Sequence, residues 1–213
     1  MIYECKNLRD LFSFKKNNYQ VAILKRAMPK NLEPFFKKLY LIPFSVIGSV
    51  TKISAKKDIH ELLKNIIPKN LQKQLNYEIW LQDMSSVCKT FCSFTEQDKI
   101  TFWLGSERGC KRYHVDMVNY RLLLTYAGQG TELLPDKAAN RNAFINGEPN
   151  EKIVKDKFSV SHIPKWDISI FRGGNKGILH RTPNSATDNF SSILMRLDAK
   201  DFLEDLKRIN GTI

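Results

Sequence analysis

The sequence predicts an α+β fold, and three observations carry that prediction. First, 213 residues with 42% hydrophobic and 11% aromatic content suffice to bury the core of one sizeable domain, and are too apolar for a disordered chain. Second, apolar residues recur at helical spacing before residue 98. Third, after residue 98 the pattern shortens to strand-length apolar runs punctuated by turn residues. The expected organisation is a single domain over 1–213, with a mainly helical flank (1–98), a β-barrel core (99–199) and a C-terminal helix (200–209).

The elements follow in order. Leu32, Phe35, Phe36 and Leu39 trail Pro29 with a helical period and predict the first helix. Ile59, Leu62, Leu63, Ile66 and Ile67 predict a second, with Asp58 as its N-cap. A longer helix begins near Pro68–Asn70, where proline suits the first turn. It runs through Leu71, Leu75, Ile79, Met84 or Val87, and Phe91. The expected strands are Ile100–Leu104, Tyr113–Asp116, Arg121–Tyr126, Thr131–Leu134, Asp167–Phe171, Ile178–Thr182 and Ser192–Leu197. Gly105-Ser106, Gly128-Gln129-Gly130, Asn146-Gly147-Glu148-Pro149 and Gly173-Gly174-Asn175 supply the turns between them. Short strands behind a helical N-terminal part suggest a small closed β-barrel or sandwich covered by helices. Asp201–Ile209 reads as the terminal helix.

Composition narrows the function classes. No apolar run reaches the roughly 18 residues of a transmembrane helix, so no membrane partner is expected. The N-terminus shows no secretory pattern, and the four cysteines (Cys5, Cys88, Cys92 and Cys110) read as reduced thiols, which makes a cytoplasmic location the expectation. The formal charge of +12 divides into +8 over residues 1–100 and +4 over 101–213. Most of the cations are lysines scattered among Asn and Ile, the composition of an AT-rich genome. A built base-reading surface favours arginine, for its bidentate geometry. The charge nonetheless keeps open a nucleic-acid partner or an acidic substrate.

The chemistry concentrates in the β-rich half. His114 and Asp116 stand two apart on an expected strand, so their side chains share a face and can converge on one ion. His180 adds a second imidazole from another expected strand. Two histidines and a carboxylate form the facial triad that holds non-haem Fe(II) and leaves open coordination positions. His162 lacks a carboxylate at strand spacing and reads as a structural or rim residue, and His60, on a lysine-rich helix, as a surface one. Cys88 and Cys92 stand at i and i+4 on the long helix without a partner pair nearby, which favours packed thiols over a zinc site. The Gly128–Thr131 turn lacks the glycine pattern and the Lys-Ser/Thr of a phosphate loop. Trp80, Trp103 and Trp166 are expected to fill core or pocket walls.

The runs Cys110-Lys-Arg-Tyr-His114-Val-Asp116, Arg121-Leu-Leu-Leu-Thr-Tyr126-Ala-Gly128-Gln-Gly130-Thr131-Glu132, His180-Arg-Thr-Pro183 and Leu197-Asp198 together resemble a bacterial family of unknown function. At a further remove, the order of these motifs resembles the Fe(II)- and 2-oxoglutarate-dependent dioxygenases. That resemblance implies a double-stranded β-helix (jelly-roll or cupin-like), with His114, Asp116 and His180 as ligands of Fe(II) at its mouth. It also implies a cation for the remote carboxylate of 2-oxoglutarate. Arg196, which shares a strand face with Ser192 and Leu194, is the candidate. The unknown-function family's arginine is expected nearer the strand start, where Ser192 stands, so Arg121 is the rival anchor.

The leading expectation is therefore an oxygenase of hydroxylase type. Its rivals are a metal-binding or sensing protein of the same fold without turnover, a zinc hydrolase using the same triad, and a basic nucleic-acid-binding module. Loops such as Leu134–Val160 are expected to select the substrate.

Overall fold

The computed structural model describes residues 1–40, 42–187, 192–200 and 202. In chain order its elements are β1 (Ile2–Cys5), α1 (Leu8–Ser13), β2 (Val21–Leu24), α2 (Glu33–Leu39), β3 (Ser45–Thr51), α3 (Ala55–Leu63), α4 (Lys69–Gln72), α5 (Leu75–Thr95) and β4 (Lys99–Gly105). Then come β5 (Tyr120–Ala127), β6 (Glu132–Leu134), α6 (Arg141–Ile145), α7 (Asn150–Ile153), β7 (Ser161–His162), β8 (Ile168–Arg172), β9 (Leu179–Arg181) and β10 (Ile193–Ala199). The expected C-terminal helix over 200–209 falls, apart from 200 and 202, outside the described residues.

Two sheets result. The large one has the order β1-β2-β8-β5-β10-β4-β3, and the small one β7-β6-β9. Every neighbouring pair is antiparallel except β1 with β2. Among the described residues the strands form these two sheets and no closed barrel, which corrects the closed-barrel expectation. The expected strand at Tyr113–Asp116 is reduced to a single bridge, His114 opposite His180, at the free side of β9.

Strand alternation sorts side chains into layers. On β5, Leu122, Leu124 and Tyr126 join the core beneath the helices, as do Ile193, Met195 and Leu197 of β10. The intervening Leu123 and Leu194 face the other way and pack with Leu133, Ile163, Phe171 and Ile178 between the two sheets. Helices thus cover one face of the large sheet and the small sheet covers part of the other. In the helical layer, α5 buries Tyr77, Trp80, Leu81, Met84, Cys88, Phe91 and Cys92. Trp80 meets Phe36 and Tyr126 edge-on, at centroid distances of 5.4 and 5.8 Å.

The flank over 1–98 also supplies three strands that local periodicity did not reveal. β2 is a four-residue run buried throughout, too short to show a period. β3 pairs along its whole length with β4, from Ser45 opposite Gly105 to Thr51 opposite Lys99. The long helix expected from Pro68 onward is broken at Gln74, whose backbone is extended. Leu71 and Tyr77 are both buried, yet six residues on a continuous helix would set them about 120° apart. The break brings both to the core and leaves Leu75 exposed. Asp58 lies inside α3 rather than capping it. Its Oδ2 accepts from the Thr51 N–H (2.8 Å) and hydroxyl (2.6 Å), tying α3 to the end of β3.

The turn before β6 depends on a glycine. A Cβ on Gly130 would collide with the Ile163 carbonyl oxygen, on the segment that leads from β7 toward β8. Among the described residues no helix is long and apolar enough to cross a membrane. Gly130→Ala is expected to destabilise the fold by about 1–3 kcal/mol through overpacking. Calorimetry should show this as a melting point lowered by about 2–4 °C per kcal/mol. Gly109→Ala, whose added methyl meets open space, should melt with the native protein.

Candidate metal centre

The two histidines are brought together by backbone pairing. The His114 N–H donates to the His180 carbonyl and the His180 N–H to the His114 carbonyl, each at 3.0 Å. The imidazoles stand with ring centroids 4.4 Å apart. Two residues on, the chain turns. The Asp116 carbonyl accepts from the Gly174 N–H at 2.7 Å, which locks this corner against the turn after β8. One ligand atom from each of His114, Asp116 and His180 lies within 4.8 Å of the others. His180 and Asp116 are buried and His114 half-buried.

Hydrogen bonds orient all three groups. The Nδ1 atoms of His114 and His180 lie 3.0 and 3.1 Å from the carbonyls of Arg112 and Ile178. A carbonyl only accepts, so Nδ1 carries the proton and Nε2 keeps its lone pair for the centre. His180 Nε2 lies 3.4 Å from Asp116 Oδ2. Burial pushes the His180 imidazole down to about 4, against the nearby Asp116 charge, and holds it in the neutral form a metal requires.

Asp116 supplies the anionic ligand. Its Oδ1 accepts from Arg121 Nη1, while Oδ2 is buried with no hydrogen-bond partner. A buried carboxylate oxygen without a donor is costly. Here it faces an imidazole lone pair, so a cation would satisfy both. The donor set, two neutral imidazoles and one carboxylate, fits a divalent transition metal with open positions.

Arg121 and Arg196 line the same cavity, of about 240 Å³, as the three candidate ligands. Both already bear ion pairs. Arg121 Nε reaches Asp198 Oδ1 at 2.7 Å, and Arg196 Nε lies 3.1 Å from Asp198 Oδ2. Arg196 also lies over the Trp103 ring, at 5.7 Å from its centroid. Asp198 is fully buried, and burial raises its carboxyl pKa while the two guanidinium groups oppose that shift. Asp198 enters the sequence reading only as part of the Leu197-Asp198 motif, with no role assigned to it, and the structure shows it holding both arginines. The signal available was a lone acid on an otherwise apolar strand, two residues from Arg196.

Outside the cavity, Glu132 ties β6 to β9. It accepts from the Tyr113 hydroxyl and from Arg181 Nε (2.7 Å), with the exposed His162 at 3.4 Å. His162 is thus a rim residue. His60 is half-buried against Tyr77, with ring centroids 6.4 Å apart. All four cysteines are free, and Cys88 and Cys92 are packed in the core. The segment between β6 and β7 is not an open loop. It folds into α6 and α7 over a cluster of Tyr113, Leu134, Ala143, Ile153 and Leu179.

The depressed His180 pKa fixes a pH dependence. As pH falls from about 6.5 to about 4, the unfolded chain takes up a proton that the folded one refuses, so stability falls across that window and levels off below it. For the metal-free protein this loss is roughly 3 kcal/mol. The difference in denaturation midpoint between native protein and His180→Gln, measured from pH 7 to pH 4, should narrow as pH falls.

A comparison with solved structures finds "a Putative oxygenase from Shewanella oneidensis", 12% identical, with TM-score 0.44, over 100% of this chain and 99% of that one. A likeness of that depth carries neither fold nor chemistry across. No curated protein matches the sequence. Residues 5–198 match the sequence model of DUF1826, a family described as proteins of unknown function, and the chain belongs to that family.

Proposed function

We propose that this chain is an Fe(II)- and 2-oxoglutarate-dependent oxygenase of hydroxylase type, with His114, Asp116 and His180 as the metal ligands. The observation that carries the reading is that ligand atoms of His114, Asp116 and His180 lie within 4.8 Å of one another, with His180 Nε2 3.4 Å from an Asp116 oxygen that is buried and has no hydrogen-bond partner. The strand path supports it. From β4 to β10 the chain passes back and forth between the two sheets, with β4, β5, β8 and β10 in the large one. The His114 bridge, β6, β7 and β9 lie in the small one. That winding agrees with a double-stranded β-helix whose mouth lies between the sheets.

When bound, Fe(II) with 2-oxoglutarate would supply oxidation by O₂, with succinate and CO₂ as by-products and one oxygen atom passed to a C–H bond of the substrate. The chain's own residues do the rest. The Arg112 and Ile178 carbonyls hold His114 and His180 in the ligating tautomer. Arg121 grips Oδ1 of Asp116 and leaves Oδ2 for the metal. Asp198 fixes Arg121 in turn. Leu123, Leu194 and Trp103 line the apolar part of the wall and limit water around the centre.

Native protein given Fe(II) and 2-oxoglutarate without O₂ should develop a visible charge-transfer absorption, and on aeration should form succinate. His114→Ala should lose metal affinity by at least about 100-fold and lose succinate formation with it, since even outer partners of such ligands are worth about 10–100-fold. Metal analysis and succinate assay check this. Turnover retained by His114→Ala would remove the ligand assignment. Metal bound by the native protein with no succinate formed under any condition would favour a sensing protein.

A further inference from the structure

Four arginines line the cavity: Arg108, Arg121, Arg181 and Arg196. Arg121 pairs with Asp116 and Asp198, Arg181 with Glu132, and Arg196 with Asp198. Arg108 differs. Among the described residues it has no acidic partner. Its Nη1 donates to the Gln129 carbonyl and the Ser192 hydroxyl, both at 3.0 Å, and its Nη2 to the Thr131 hydroxyl at 3.4 Å. Its Nε is buried with no hydrogen-bond partner. The three acceptors are neutral, so they position the guanidinium without cancelling its charge. Burial lowers the Arg108 pKa to about 10, which leaves it cationic near neutral pH.

Arg108 is half-buried with its Nε out of water, and a partly desolvated guanidinium that has no counter-ion among the described residues is costly to the free protein. Asp116, which lines the cavity, and Asp198, buried behind it, are outnumbered by Arg108, Arg121 and Arg196, and Glu107, the other acid of the lining, is exposed. A divalent metal would add to the positive excess, so the occupied cavity calls for an anion. At about 240 Å³ the space lies below the roughly 300 Å³ at which drug-sized ligand sites begin, and suits a small acid.

We propose that Arg108 is the carboxylate-binding group of this cavity, taking the far carboxylate of a small dicarboxylate whose other end reaches the metal. The assignment rests on the oxygenase reading for the identity of that dicarboxylate as 2-oxoglutarate, but not for the carboxylate subsite itself. It moves the anchoring role away from Arg196 and Arg121, whose charge already serves Asp198 and Asp116. Arg108 keeps its planar fork fixed by the starts of β6 and β10, where Thr131 and Ser192 are buried. A bidentate carboxylate contact is what such a fork is shaped for.

The test uses the full chain loaded with Mn(II) and titrated calorimetrically with 2-oxoglutarate and with pyruvate, which lacks the far carboxylate. Arg108→Gln should weaken 2-oxoglutarate binding by about 30-fold or more, the effect of removing one partner of a buried charge pair. Its Mn(II) and pyruvate affinities should stay native. Arg108→Lys should recover only part of the loss, and Arg196→Gln should keep the preference for 2-oxoglutarate over pyruvate. If Arg108→Gln does not fold, that preference in Arg108→Lys decides. An undiminished preference in the Arg108 variants, or its loss only in Arg196→Gln, overturns the proposal. Succinate added to metal-free native and variant proteins, read by thermal shift, separates the two readings. Arg108-dependent stabilisation by succinate, with no advantage for 2-oxoglutarate in the Mn(II) form, would sink the cosubstrate reading and leave the subsite standing. Binding of no dicarboxylate in either form would overturn the subsite.

Discussion

A chain of buried ion pairs, Asp116–Arg121–Asp198–Arg196, runs along the face of the large sheet that looks toward the small one, and the candidate metal centre depends on it. Charges buried in this way add little net stability, because the desolvation they suffer offsets their attraction. What the chain secures is orientation. Arg121 is held by two carboxylates at once, so Asp116 cannot rotate its bound oxygen away without stranding a guanidinium. The other oxygen of Asp116 is left facing the imidazoles. The cost of that unsatisfied buried oxygen is met by stability elsewhere, chiefly the aromatic-rich layer between α2, α5 and the large sheet.

The imidazoles depend on a different constraint. β9 is three residues long and the His114 segment contributes a single bridge, yet the reciprocal hydrogen bonds between His114 and His180 set both side chains on one side of the small sheet. Short strands are adequate here because each is fastened at its ends. The turn of Gly173 and Gly174 packs on the Asp116 corner, and Glu132 clamps β6 to β9 through Arg181. Ligands held on such fastened segments lose little freedom when a metal binds, which favours a preorganised site over a folded-on-binding one.

Much of this was legible along the chain. The alternation in Arg121–Tyr126 and Ser192–Leu197 marked which side chains share a face, and the sheet register keeps that sorting, with Leu123 opposite Arg196. The His-x-Asp spacing and the distant His180 marked the candidate ligands. β1, β2 and β3 were not legible: β1 and β3 are edge strands, recruited by the hydrogen-bonding groups of a neighbour rather than by their own period, and β2 is buried throughout its four residues and shows no alternation. The break between α4 and α5 was hidden for a related reason. Leu71, Leu75 and Ile79 are spaced as one helical stripe, and only the shape of the core decides that Leu75 points to water.

The amino-acid order by itself determined the α+β character, the faces of the long strands and the identities of the three candidate ligands, because each follows from local periodicity and side-chain chemistry. Tertiary structure alone decided which arginines are already paired. Arg108, Arg121 and Arg196 are alike on paper, and their difference lies in whether a carboxylate from another strand comes within reach. Pairing between residues as far apart as Arg121 and Asp198 is set by strand order, and strand order has no local signature.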